Sequence, residues 1–229
     1  LQSYVEHVGV EDGRDYVVKR SDGDDGNARW PLFFVQVGRD AQLDFIEEHL
    51  DSLESQCGLR DNELGGWRVA FEEVEQILQN RFSRFLDCTA QVVGTVCASY
   101  CAAFEGTFRA VITRIDEGGQ IEVHYIDYGN YEMVGRSQLK SLDGQPELIR
   151  TMAAMAIPCV LSAMERAYMT GTDVCENSEL AAAQSQISCD LDHFTLKFLR
   201  KLPDGVHIVE VVQEINVSVR NDPEHHRDN

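Results

Sequence analysis

Residues 96–134 alternate short β-forming runs with glycine turns, a rhythm that restricts this part of the chain to a small antiparallel sheet. Residues 108–115 and 121–126 predict two strands joined by Asp116-Glu117-Gly118-Gly119, a hairpin turn that supplies backbone freedom where strands reverse. Residues 131–134 predict a third strand after the turn at Gly129. The hairpin ends in Tyr125-Ile126-Asp127-Tyr128-Gly129-Asn130, which gathers two tyrosines, a carboxylate and a carboxamide around one glycine. Core packing gives no reason for that mixture, whereas a pocket for a cation does.

The flanks change period. Ser21-Asp22-Gly23-Asp24-Asp25-Gly26-Asn27 reads as an exposed loop between strands at 16–18 and 32–37. From Asp40, Leu43, Ile46, Leu50 and Leu53 recur at helical spacing, so an amphipathic helix is expected to about Ser55. After Gly65-Gly66 a second helical stretch from Trp67 to Phe85 carries Phe71, Val74, Leu78, Phe82 and Phe85 on one side. Beyond the β unit, a helix is expected at 145–154, a strand at 157–161 and a short helix at 179–186. A last hairpin pairs 194–199 with 207–212 around Pro203-Asp204-Gly205. The class is therefore α+β. Residues 1–90 form one arm of a framework, 91–144 the β unit, and 145–229 a linker helix and second arm, with the two arms building one split domain.

Charge narrows the partners. Against 39 Asp and Glu stand 20 Lys and Arg, a formal charge of −19 that repels phosphate backbones and attracts basic peptides. Single-stranded nucleic-acid binding needs a basic groove with aromatic platforms, and the balance argues against it. The seven cysteines, Cys57, Cys88, Cys97, Cys101, Cys159, Cys175 and Cys189, are scattered and odd in number, so they read as reduced thiols of an intracellular protein. No apolar run approaches the ~20 residues of a membrane span, and no signal-peptide pattern is visible. Cys97, Cys101 and His124 lack paired zinc-ligand spacing, and His225-His226 lies in a polar tail, so no metal is expected. Asp190 with Asp192, and the acidic pairs Glu47-Glu48 and Glu72-Glu73, read as solvated faces. No nucleophile elbow or phosphate loop is present; neither catalysis nor a cofactor is expected.

The runs Val96-Cys97-Ala98-Ser99-Tyr100, Phe108-Arg109-Ala110-Val111 and Val123-His124-Tyr125-Ile126-Asp127-Tyr128-Gly129-Asn130 resemble a Tudor domain. Phe33-Phe34-Val35-Gln36-Val37 with its helix, and Pro158-Cys159-Val160-Leu161, resemble the two arms of an extended Tudor module. The resemblance implies a small Tudor β-barrel joined to a split staphylococcal-nuclease-like, oligonucleotide-binding-type barrel. It also implies a reader of symmetrically dimethylated arginine in Arg-Gly or Arg-Ala tails of Argonaute or PIWI-type partners. The setting would be a small-RNA pathway, in cytoplasmic, perinuclear or germ granules. Carried over residue by residue, the cage would consist of Phe108, Tyr125 and Tyr128, with Asn130 as polar anchor. Tyr100, or alternatively Phe104, would supply a fourth wall, because this chain carries extra residues before Phe108. Thr107-Phe108 stands where the family often has Trp-Tyr, and Arg109 with Asp127 matches an internal structural pair. A rival reading keeps the fold without the cage: a scaffold that binds an unmethylated partner or dimerises, with the 67–85 stripe as its face.

Overall fold

The computed structural model describes residues 5–22, 29–38, 40–55, 93–101, 104–116, 118–142, 145–171, 184–188, 191 and 193–212. In chain order the strands are β1 (Asp15–Arg20), β2 (Phe33–Val37), β3 (Val96–Cys101), β4 (Gly106–Ile115), β5 (Ile121–Tyr125), β6 (Tyr131–Val134), β7 (Leu139–Lys140), β8 (Ile157–Leu161), β9 (Phe194–Lys201) and β10 (His207–Val211). The described helices are α1 (Asp40–Ser55), α2 (Glu147–Thr151) and α3 (Glu165–Thr170).

Two sheets result. Both ends of the chain build a closed barrel in the order β1-β2-β8-β10-β9, antiparallel throughout except for the parallel pair β8–β10. The middle of the chain forms a five-stranded antiparallel sheet, β6-β5-β4-β3-β7. A split framework around a central β unit is thus the observed architecture, and the strands expected at 131–134 and 157–161 form with those bounds.

The strand β2 shows why a continuous apolar run was needed. Phe33, Phe34 and Val35 are all buried, because successive side chains enter opposite faces and both faces are covered. Phe33 stacks near Trp30, at 6.4 Å between ring centres, whereas Phe34 lies 5.0 Å from His124 of β5. One strand of the barrel therefore also packs on the central sheet. Helix α1 covers another part of that sheet, placing Ile46 and Leu50 in a cluster with Ala98, Leu142, Ile149 and Met155.

The helix expected at 145–154 is shorter, Glu147–Thr151. Pro146 sits at its start, and Met152 turns to an extended backbone, φ −60° and ψ 134°. Beyond it the chain must run straight: Ala154 exchanges backbone hydrogen bonds with Glu6 and Val8, at 2.7 and 2.9 Å. That local β-bridge with the N-terminal segment takes precedence over helix propagation. The 67–85 stripe lies outside the described residues, as does the 179–186 helix apart from its last turn.

The joint between the units is tight at Gly129. Its φ is +101°, and a Cβ there would stand inside the contact distance of the Phe34 side chain, 2.8 Å from Cδ2 alone. Both the left-handed backbone and the space require glycine. Gly129→Ala is expected to lose about 2–4 kcal/mol of folding stability, from backbone strain plus overpacking, as read from urea denaturation midpoints.

Behind the joint, His124 is sandwiched between Phe34 and Tyr131, stacking on the latter at 4.4 Å. Burial, reinforced by His7, lowers its pKa to about 3, so the folded chain keeps the ring neutral. The unfolded chain would protonate near the ordinary value of about 6.5. Stability from this group is therefore full above that value and is lost as pH falls towards 3. His207, lowered to about 4 by burial, acts in the same direction. In His124→Phe the denaturation midpoint should fall less steeply than in wild type between pH 6.5 and 4, a slope read from urea titrations across that window.

Candidate functional site

Strand register decides which rings meet. Ser99 lies opposite Phe108, and Ala110 opposite Tyr125, so Phe108, Ala110 and Tyr125 share the interior face of the central sheet. The Phe108 ring folds back over Gly106, where any Cβ would stand 2.9 Å from the ring's Cζ. Three other rings stand edge-on to Phe108: Phe104 at 6.4 Å and 86°, Tyr125 at 6.0 Å and 86°, and Tyr128 at 5.0 Å and 74°. Edge-to-face contact of this kind is favourable because positive ring edges meet negative faces. Exposure grades the cluster from rim to base. Phe104 is 63% exposed, Phe108 and Tyr128 are half-buried, and Tyr125 at 1% closes the bottom.

Tyr100 does not join them. It lies opposite Thr107, one register position from the Ser99–Phe108 pair, and so on the other face of the sheet. The alternative, Phe104, stands beside Phe108, in the turn that leads into β4. Asn130 is half-buried at the end of the turn, with its carbonyl accepting the Tyr125 N–H at 3.0 Å. The Tyr125 carbonyl accepts from both Tyr128 and Gly129, at 3.2 and 2.7 Å, so both tyrosines belong to one closed loop.

Between those tyrosines, Asp127 points away from the rings and holds Arg109 in a two-pronged ion pair. Nε donates to Oδ2 at 2.8 Å and Nη2 to Oδ1 at 2.6 Å, with both side chains 1% exposed. The remaining donors of Arg109 reach the carbonyls of Ile149, Met152 and Ala153, at 3.0, 2.8 and 3.2 Å. Asp127 Oδ1 also accepts the Met155 N–H at 3.1 Å. From β2, Gln36 Nε2 donates to the Asp127 carbonyl. The pair thereby ties the ring-bearing turn to α2, to the segment entering β8 and to the barrel.

Carboxylates sit behind two of the rings. Tyr125 Oη donates to Glu132 at 2.7 Å, and Tyr128 Oη donates to Glu47 of α1. Burial chiefly, with Glu132 adding, pushes the Tyr125 pKa up and keeps its proton on the phenol. Glu47 is half-buried, which corrects its reading as part of a solvated helix face. Its spacing held the signal: four residues after Leu43 and three before Leu50, it borders the apolar stripe of α1. Glu132 carried no such mark, since only β-pairing with Val123 sets its side of the sheet.

The cysteine–histidine constellation is separated by the same alternation. Cys97 and Cys101 are buried in the interior cluster, while His124, opposite Val111, points to the barrel side. Burial raises the Cys97 thiol to about 12, so it stays protonated. Among the described residues no group of three or more His, Cys, Asp or Glu converges as a metal site. Among them, too, no helix is long and apolar enough to cross a membrane.

With this geometry in place, comparison with known proteins locates the architecture. Residues 69–163 match the family model of the Tudor domain. The human TDRD1 extended Tudor domain, solved with a symmetrically dimethylated peptide, superposes with a TM-score of 0.63 at 16% identity, covering 92% of this chain and 87% of that one. An extended Tudor domain of mouse TDRD1, solved with a MILI peptide containing dimethylarginine, gives 0.56 at 18% identity, covering 90% and 86%. The extended Tudor domain of Drosophila melanogaster Tudor-SN gives 0.58 at 14% identity, covering 89% and 77%. No curated protein sequence matches the chain.

The ion pair predicts a large effect. Arg109→Met should leave Asp127 charged and buried and three carbonyls short of a donor, costing about 3–5 kcal/mol. Loss of the cooperative thermal transition, or a midpoint lowered by about 6–20 °C, is the expected calorimetric result, on the order of 2–4 °C per kcal/mol at this size.

Proposed function

We propose that this chain, a Tudor domain set in an extended Tudor fold, is a non-enzymatic reader of methylated arginine on a flexible protein tail. The observation that carries this reading is the ring cluster itself, in which Phe104, Tyr125 and Tyr128 stand edge-on around Phe108. A methylated guanidinium keeps its charge but loses N–H donors and gains apolar surface. Aromatic faces suit both properties, and each good contact contributes about 0.5–2 kcal/mol depending on desolvation. Asn130, at the end of the same turn, carries an amide oxygen that could accept a remaining N–H, which would fix orientation.

Symmetric dimethylation is the form we favour, supported by the symmetrically dimethylated peptide bound to the human relative. The formal charge of −19 supports a basic, arginine-rich tail, since it steers such a segment and disfavours nucleic acid. The finer reading, an Argonaute or PIWI-type partner in a small-RNA pathway housed in cytoplasmic granules, rests on the family resemblance.

Calorimetric titration with an Arg-Gly repeat peptide, unmethylated and symmetrically dimethylated, tests the reader. Micromolar binding that prefers the methylated peptide is expected. Phe104→Ala and Tyr128→Ala should each weaken it by about tenfold or more, and Tyr100→Ala by less than about twofold. Equal binding of both peptides, indifferent to Phe104 and Tyr128, would place the contact elsewhere and favour the scaffold reading.

A further inference from the structure

The phenols at this site do not end in solvent. Tyr125 commits its proton to Glu132 at 2.7 Å, and Tyr128 commits its own to Glu47. A phenol that donates to a carboxylate gains electron density at oxygen and, through it, in the ring, which makes the ring face more attractive to a cation. The carboxylates add their own field from one ring-width behind. Both are half-buried, so solvent and salt screen them less than surface acids.

Glu132 is the more telling of the two. It lies opposite Val123, on the interior face that also carries Tyr125. Its hydrogen bond is to Tyr125, and among the described residues no lysine or arginine pairs with it. Neighbouring Glu122, on the other face, has Arg29 at 3.1 Å and Arg114 at 3.7 Å. Among the described residues, the acid on the barrel-side face is therefore paired and the one on the ring face has no counter-ion.

We propose that Glu47 and Glu132 are specificity-determining residues that make the ring cluster select by charge, so that it accepts a methylated guanidinium and rejects the nearly isosteric methylated urea, which is neutral. The inference rests on the methylarginine reading of the same site. Shape alone separates the two ligands poorly, because they differ chiefly by =NH2+ against =O. The charge behind the rings supplies the discrimination that shape lacks.

The test compares wild type with Glu47→Gln, Glu132→Gln and the double variant. Glutamine keeps an oxygen to accept from the phenol and removes only the charge. Each protein is titrated with a dimethylarginine peptide and its Nω-methylcitrulline counterpart, and in parallel with free N,N′-dimethylguanidinium and neutral N,N′-dimethylurea. In the double variant the preference for the charged member of each pair should fall about tenfold or more, and about threefold in each single variant, with the thermal midpoint held. Carboxylates that merely supported the fold would, when replaced, lower the midpoint and weaken charged and neutral probes alike. A folded double variant that keeps the wild-type preference overturns the proposal. If wild type binds dimethylguanidinium but neither peptide, the reader function fails, while the small-ion pair still decides the role of the carboxylates. Wild type that binds none of the four probes overturns both.

Discussion

The buried ion pair between Arg109 and Asp127 is the constraint on which the rest of the site depends. Two charges at 1% exposure are tolerable only because every donor and acceptor around them is matched. Arg109 spans a carboxylate on one side and three main-chain carbonyls on the other, so it is at once part of β4 and the terminus of α2. Asp127 lies between the two tyrosines of the turn; its carboxylate accepts from Arg109 twice and from the Met155 N–H, its carbonyl accepts from Gln36, and a residue held this way fixes the tyrosines as well. The polar centre of the joint thus sets the geometry of an aromatic cluster on the opposite side of the same loop.

Apolar packing completes what the ion pair begins. Phe34 enters the space that a side chain at position 129 would fill, and its ring leads into the stack of His124 and Tyr131. Arg29 caps that stack, 3.5 Å from the Tyr131 ring centre, and is held there by Glu122. Barrel and central sheet share one interlocked surface, so the ring-bearing turn is held from both units. For the proposed reader this means a site that starts organised, with little ordering entropy opposing ligand entry.

Acidity operates at two ranges. The net charge of −19 acts over a Debye length and concerns encounter with a basic segment. Glu47 and Glu132 accept hydrogen bonds from two of the ring hydroxyls, and in the proposed reading they concern the chemistry of the group that is admitted. Composition reveals the first and is silent about the second, since the same acids spread over a solvated surface would give the same total.

By itself the sequence determined the elements and the identity of the cluster. Alternation and glycine turns are local properties, which is why strands β4, β5 and β6, helix α1 and the last hairpin were legible, whereas Phe108, Tyr125, Tyr128 and the Arg109–Asp127 pair were assigned through the family resemblance. Tertiary structure decided what depends on distance along the chain. Pairing of β3 with β4 put Tyr100 on one face and left Phe104 beside Phe108, because a single register position reverses a side chain's direction. Docking of α1 carried Glu47 to Tyr128, 81 residues away, and the bridge from Ala154 to Glu6 and Val8 cut short the helix after Pro146. Periodicity reports which face of an element is buried. What that face meets is set by contacts between segments far apart in sequence, and no local pattern encodes them.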